Sequence, residues 1–248
     1  KNAVLFAENL NSSCYWTDID YTDKSVVVWK TEEHLFRITI MAQALTVPGS
    51  TVSKHEKLRT ATHCALNVWL VNDWRNPNWF FNQIGVPLQV TSQLLMLRNN
   101  VTSFEIEKIK QISFRATWWN GEGQAVGANL VWMLKVQLFR SLATNNITGI
   151  EQGFARIWKD ITIKSLSEEG IQSDWSYYFH GPQVQSGSYG EAWVNDIFSI
   201  FLCSYQTQYA PKMEQLELFA KFLTEGDAWS IVGYEWDWHV VGRGLSTP

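Results

Sequence analysis

Apolar residues recur at helical spacing, three and four positions apart, over 25–45, 52–71, 88–97, 104–117, 128–142, 150–163, 192–205 and 213–223, and no comparable run alternates with period two. The pattern predicts an all-α chain of eight or nine helices. Thr102, three residues before Glu105, is a capping-box signature ahead of Ile106, and Pro211 stands where the first turn of the last long helix should begin. Short turns alternate with longer connections rich in Trp, Gly, Asn and Tyr, at 72–87, 118–127 and 171–190. Antiparallel helix pairs with aromatic-bearing loops gathered on one side suggest an incomplete (α/α) toroid, and no composition shift divides residues 1–248 into more than a single domain.

Composition narrows the class. With 248 residues and 46% hydrophobic content the chain can bury a sizeable core, which excludes a disordered protein. The formal net charge of −4 argues against a nucleic-acid binder, so an anionic ligand would need a local basic pocket. No apolar run reaches the roughly 18 residues that a membrane span requires. The opening KNAVLFAENL lacks a signal-peptide pattern, which suits a processed or truncated chain. Sequons at Asn11, Asn100 and Asn146 mark glycosylation candidates in a secreted protein. Cys14, Cys64 and Cys203 leave one thiol over, with one disulfide or three buried thiols equally compatible. Fourteen Trp are an excess that either sugar-stacking surfaces or helix packing explains.

The segment GIQSDWSYYFHGPQVQSGSYG sets His180 and Tyr189 nine residues apart on a glycine-rich loop. Imidazole titrates near neutrality and a phenol can donate or accept a proton, so the two suit proton transfer; the plainer alternative is that both hydrogen-bond loop backbone. His34, His55, His63 and His239 fall on or near helices with no carboxylate completing a metal set, and read as structural. No phosphate loop, zinc spacing or other cofactor signature is visible, so no cofactor is expected.

That loop resembles the catalytic loop of polysaccharide lyase family 8, the hyaluronate, chondroitin AC and xanthan lyases. Three further motifs follow the family's order: NPNWFFNQIGVP at 76–87 is similar to its Asn-Trp-Trp segment, GQAVGANL at 123–130 to its Gly-Ala-Asn segment, and VVGRGLS at 240–246 to its Gly-Arg segment. The resemblance covers roughly residues 24–248. It implies an α/α toroid whose loops line a cleft, a secreted enzyme, and an acidic polysaccharide as substrate, cleaved by β-elimination at a uronic acid. By carry-over, Asn129 donates to the substrate carboxylate with His180 close by. Tyr189 protonates the leaving oxygen, either Tyr189 or His180 takes the C5 proton, and Arg243 orients Tyr189 or holds the leaving sugar. Trp74, Asn78, Trp79 and Phe80 are the substrate-binding candidates, with core packing the alternative for Trp74. Trp118, Trp119, Trp175, Trp236 and Trp238 read as packing.

The chain departs from the family at Phe80, where a second Trp is usual, at Gln83, where Glu is usual, and at Thr247, where a second Arg commonly follows. The family's β-sheet domains, which bring a further glutamate, are expected beyond Pro248, so the chain reads as part of a longer lyase. Two other functions stay open: a non-catalytic glycan-binding derivative, and a glycoside hydrolase drawing its two carboxylates from Asp73, Glu122, Asp174 and Glu191.

Overall fold

A computed structural model describes residues 2–119 and 125–242. Nine α-helices are found among them: α1 (Asn2–Glu8), α2 (Glu33–Thr46), α3 (Glu56–Asn72), α4 (Val86–Leu97), α5 (Ser103–Ser113), α6 (Gly127–Ala143), α7 (Ile147–Asp160), α8 (Glu191–Ser204) and α9 (Met213–Lys221). Strands are two residues long and pair antiparallel, β1 (Gly170–Ile171) with β2 (Tyr177–Tyr178), and β3 (Ile231–Val232) with β4 (Glu235–Trp236). The chain packs as two compact units, one of Lys1–Thr117 and Lys135–Ile147, the other of Trp118–Leu134 and Thr148–Pro248.

The first unit is built around Trp16, Leu35, Ile38, Met41, Leu58, Leu66, Trp69, Val90 and Leu94, all fully or almost fully buried. His34 lies among them, its ring nitrogens 2.9 Å from the Tyr21 hydroxyl and 2.9 Å from the Ala65 carbonyl. Burial, partly countered by the Ala65 bond, pushes its pKa down to about 4, so it is a neutral core residue. His55 accepts the Leu58 amide at the start of α3, and His63 pairs with buried Glu105 at 2.8 Å. Cys14 and Cys64 form a disulfide with a Cα separation of 5.7 Å, leaving Cys203 as an exposed free thiol.

In the second unit Ile157 and Trp158 of α7 and Trp193 and Ile197 of α8 are buried, and the Trp193 ring meets Phe219 at 5.8 Å and Phe222 at 5.9 Å. Trp193 donates its indole N–H to buried Asp160 at 3.2 Å, and Trp158 to the Tyr209 carbonyl at 2.7 Å. Most of the buried Trp are thus accounted for by packing with a satisfied indole.

The helical periodicity is matched by helices α2 to α9, with three differences. Residues 25–29 are not helical, because Asp23 accepts from the Ser25 amide and hydroxyl and from the Lys30 amide, competing with the first helical turns. The short α1 carries no predicted segment. Pro211 lies one residue before the Lys212 N-cap rather than inside the helix. The capping box is present as expected: Thr102 accepts the Glu105 amide at 3.2 Å and Glu105 accepts the Thr102 amide at 2.8 Å.

Candidate active site

In the second unit, β1 and β2 lead into a tight hairpin. Tyr178 bridges Val184, the Phe179 amide donates to the Gln183 carbonyl at 3.0 Å, and the Gln185 amide to the Tyr177 carbonyl at 2.8 Å. The tip, His180 and Gly181, has φ of 56° and 77°. Glu169 accepts the Gly181 amide at 3.0 Å and anchors that tip. After Gln185 the chain enters a π-helical turn, Ser186–Gly190, that runs directly into α8. A π-turn adds a residue to the helical turn and re-aims the side chains it carries.

The consequence is that Tyr189 returns to the hairpin tip. Its hydroxyl lies 3.1 Å from His180 Nε2, the two rings edge to face at 5.0 Å. Phe179 stacks on the Tyr189 ring at 4.1 Å, and Trp132 flanks it at 6.3 Å. His180 is exposed and Tyr189 half-buried, so the hydroxyl–imidazole contact is reachable from solvent.

Asn129 occupies the first turn of α6, half-buried. Gly127 opens that helix with φ +54°, and a Cβ there would stand 2.6 Å from the Tyr177 hydroxyl and 3.1 Å from the Phe179 ring. The start of α6 therefore sits against the two residues that lead to His180. Tyr177 is fully buried, and burial, with the nearby charge of Asp160 adding to it, pushes its hydroxyl well above the usual phenol range, so it is a fixed neutral strut. On another side, the Trp236 and Val241 side chains come within 2.8 Å of where a Gly187 Cβ would be, and Gly242 abuts the Gln185 amide. Segment 236–242 is thus docked on the π-turn. Arg243 follows Gly242 in sequence and, with Glu122 and Thr247, lies outside the described residues.

The remaining candidates belong to the first unit. Trp74 is half-buried in an aromatic cluster with Tyr21 at 4.9 Å, Trp69 at 5.2 Å and Tyr15 at 6.0 Å. Asn78 accepts the Phe80 amide at 3.0 Å and donates to the Val26 carbonyl at 2.8 Å, so its amide organises the loop. Trp79 is 47% exposed and presents an open ring; Phe80 is half-buried between Trp79 and Phe81.

Of the carboxylates that a hydrolase could use, Asp73 is engaged by Arg75 and Arg115, and Asp174 is tied to the Ser176 hydroxyl and amide. A carboxyl that sequence reasoning missed is Asp227, 5% exposed, with one oxygen lacking a hydrogen-bond partner. Burial, reinforced by the charge of Glu191, raises its pKa to about 7. No local pattern in EGDAW signals that burial, which is a tertiary effect.

Residues 2–248 match the family described as polysaccharide lyase family 8, N terminal alpha-helical domain. Over 233 residues the chain is 26% identical to a chondroitinase-AC of Pedobacter heparinus, covering 94% of this chain and 33% of that protein. A chondroitinase AC lyase solved with oligosaccharides superposes with a TM-score of 0.89 at 25% identity, over 100% of this chain and 36% of that one. A Streptomyces coelicolor A3 chondroitin AC lyase in complex with chondroitin sulphate superposes at 0.78 with 15% identity, over 93% of this chain and 32% of its own. These likenesses bear out the all-α fold of the family's α/α-toroid class. The chain spans about a third of the length of these relatives.

Proposed function

Because the chain belongs to polysaccharide lyase family 8, we propose that it is the helical part of an enzyme that cleaves a chondroitin- or hyaluronan-type polysaccharide by β-elimination, leaving an unsaturated uronate. The observation that carries this reading is the 3.1 Å contact between the His180 imidazole and the Tyr189 hydroxyl on a rigidly built, solvent-reachable loop.

The chemistry asks for what these residue types supply. The C5 proton of a uronate is poorly acidic while its carboxylate is charged, so the charge must be masked as the proton leaves. The Asn129 amide donates to that carboxylate, and His180 stands close by. His180 or Tyr189 takes the C5 proton, the C5 electron pair forms the C4–C5 double bond, and the C4–O bond breaks. Tyr189 delivers a proton to the departing oxygen. Arg243, whose guanidinium stays charged at any working pH, is the residue to which the family resemblance assigns orienting Tyr189 or holding the leaving sugar. Trp79, with Phe80 behind it, is the surface on which a sugar ring stacks. Asn78, which organises the Trp79 loop, and Trp74, half-buried in its own ring cluster, are the further candidates for contact with the polymer.

We also propose a secreted location. The Cys14–Cys64 disulfide suits an oxidising compartment, and the sequon residues Asn11, Asn100 and Asn146 are exposed. A β-rich partner domain fits the relatives' greater length.

The test is absorbance of the unsaturated uronate during incubation with chondroitin and hyaluronan. Tyr189→Phe is expected to lower turnover by roughly 10²- to 10⁴-fold while polymer binding survives. Binding without any unsaturated product from the wild type would instead favour a non-catalytic glycan-binding protein, the reading to which Phe80 and Gln83 lend some weight.

A further inference from the structure

An acidic chain with net charge −4 can hold an anionic polymer only where cations gather locally. In the first unit Arg75 stands four residues before Trp79, with Lys24 and Arg115 brought to it. Segments 24–26 and 75–78 are laced together: Lys24 Nζ donates to the Arg75 carbonyl at 2.7 Å, Asn76 Nδ2 to the Ser25 carbonyl at 3.0 Å, and Asn78 Nδ2 to the Val26 carbonyl at 2.8 Å. Asn82 braces the second segment from behind, accepting the Asn76 amide at 3.1 Å. Lys24 and Arg75 are therefore held at adjoining positions, and both are exposed. The four residues from Arg75 to Trp79 can span at most about 14 Å, within reach of a short oligosaccharide.

The charges do not cancel. Arg75 meets Asp73 Oδ2 through Nε at 3.2 Å and Nη2 at 3.0 Å, and Arg115 shares the same carboxylate. Lys24, Arg75 and Arg115 face the carboxylates of Asp73 and of Asp23, the neighbour of Lys24, which leaves a surplus of one positive charge. Asp73 also sets the plane of the Arg75 fork, whose side chain remains 52% exposed. A planar fork of fixed orientation suits bidentate contact with a carboxylate or sulfate.

We propose that Lys24 and Arg75 form an anion-recognition subsite for a sulfate ester or carboxylate on a sugar near the one stacked on Trp79, and so help to select a charged polysaccharide. The subsite rests on the lyase reading only in assuming that polymer lies on Trp79. The plainer alternative, two solvated surface cations, predicts no polymer discrimination.

The experiment titrates chondroitin sulphate and chemically desulfated chondroitin against the wild type, the Lys24→Gln/Arg75→Gln variant and the charge-conserving Lys24→Arg/Arg75→Lys variant, at low and physiological salt. The neutralised variant is expected to lose roughly five-fold in affinity at low salt and to show a shallower salt dependence, while the charge-conserving one keeps the salt dependence and loses less, its remaining deficit being the bidentate Arg75 fork that a lysine does not reproduce. A loss confined to the sulfated polymer assigns a sulfate; an equal loss on both assigns a carboxylate. Unchanged affinity for both polymers, an equal loss in the charge-conserving variant, or no wild-type binding to either overturns the subsite. The expected binding pattern without unsaturated product would leave the subsite standing and remove the lyase reading, whereas turnover with unaltered variant binding would do the reverse.

Discussion

A histidine with φ of 56° is uncommon but tolerated, since His enters the left-handed region more readily than most residues, and here Gly181 takes the next strained position. That backbone turns the imidazole toward Tyr189. Gly127 has a comparable role on the other side, because both its φ and its closeness to Tyr177 exclude a side chain. Gly127→Ala is expected to destabilise the fold by about 1–3 kcal/mol and to displace the α6 turn that carries Asn129. Adding Tyr177→Phe should relieve the hydroxyl's share of the clash but neither the contact with Phe179 nor the backbone part, as chemical denaturation midpoints of the single and double variants would show. Trp74 and Trp79 illustrate how little a residue's type says by itself: five positions apart, one is packed among four rings and the other is open.

Helices were legible wherever their signals were local. Periodicity over α3 to α9 depends on residues three or four apart, and the Thr102–Glu105 box is complete within one turn. Thr102→Ala should cost about 1 kcal/mol by loss of the cap, readable as a lowered denaturation midpoint. The loss is bounded because Glu105 is also held by His63. The hairpin at 177–185 and the π-turn at 186–190 were less legible, appearing in the sequence only as a glycine-rich loop. Their shape depends on Glu169 reaching Gly181 and on Trp236 and Val241 filling the space above Gly187, all distant in sequence. The same holds for residues 25–29, whose apolar periodicity lost to side-chain bonds from Asp23.

The two units carry opposite pH responses. In the first, His34 has a folded pKa of about 4 against an ordinary 6.5, so its contribution is present above pH 6.5 and is lost as the pH falls toward 4, on the order of 3 kcal/mol. Glu105 acts in the same direction: burial alone would raise it, but bonds from His63 and Thr102 outweigh burial and hold its carboxyl low. In the second unit, Asp227 has a folded pKa of about 7 against 3.8, so its contribution is full below pH 3.8 and is lost as the pH rises toward 7. Hydrogen exchange followed from pH 6.5 to 4 should therefore show core amides of α2 and α3 losing protection while those around 227–230 gain it, once intrinsic exchange rates are divided out. Reducing the Cys14–Cys64 disulfide frees a loop of 50 residues and should cost about 4 kcal/mol on a chain-entropy estimate, seen as a lower midpoint in reductant. By itself the amino-acid sequence determined the all-α class, the helical segments, one cap and the order of four motifs, because each is written in neighbours within a turn or a short loop. Only the tertiary structure decided which Trp are packed and which exposed, that Cys14 joins Cys64, that Asp227 is buried, and that His180 and Tyr189 meet at 3.1 Å. Those outcomes depend on segments tens of residues apart closing on one another, and no local pattern encodes where such segments come to rest.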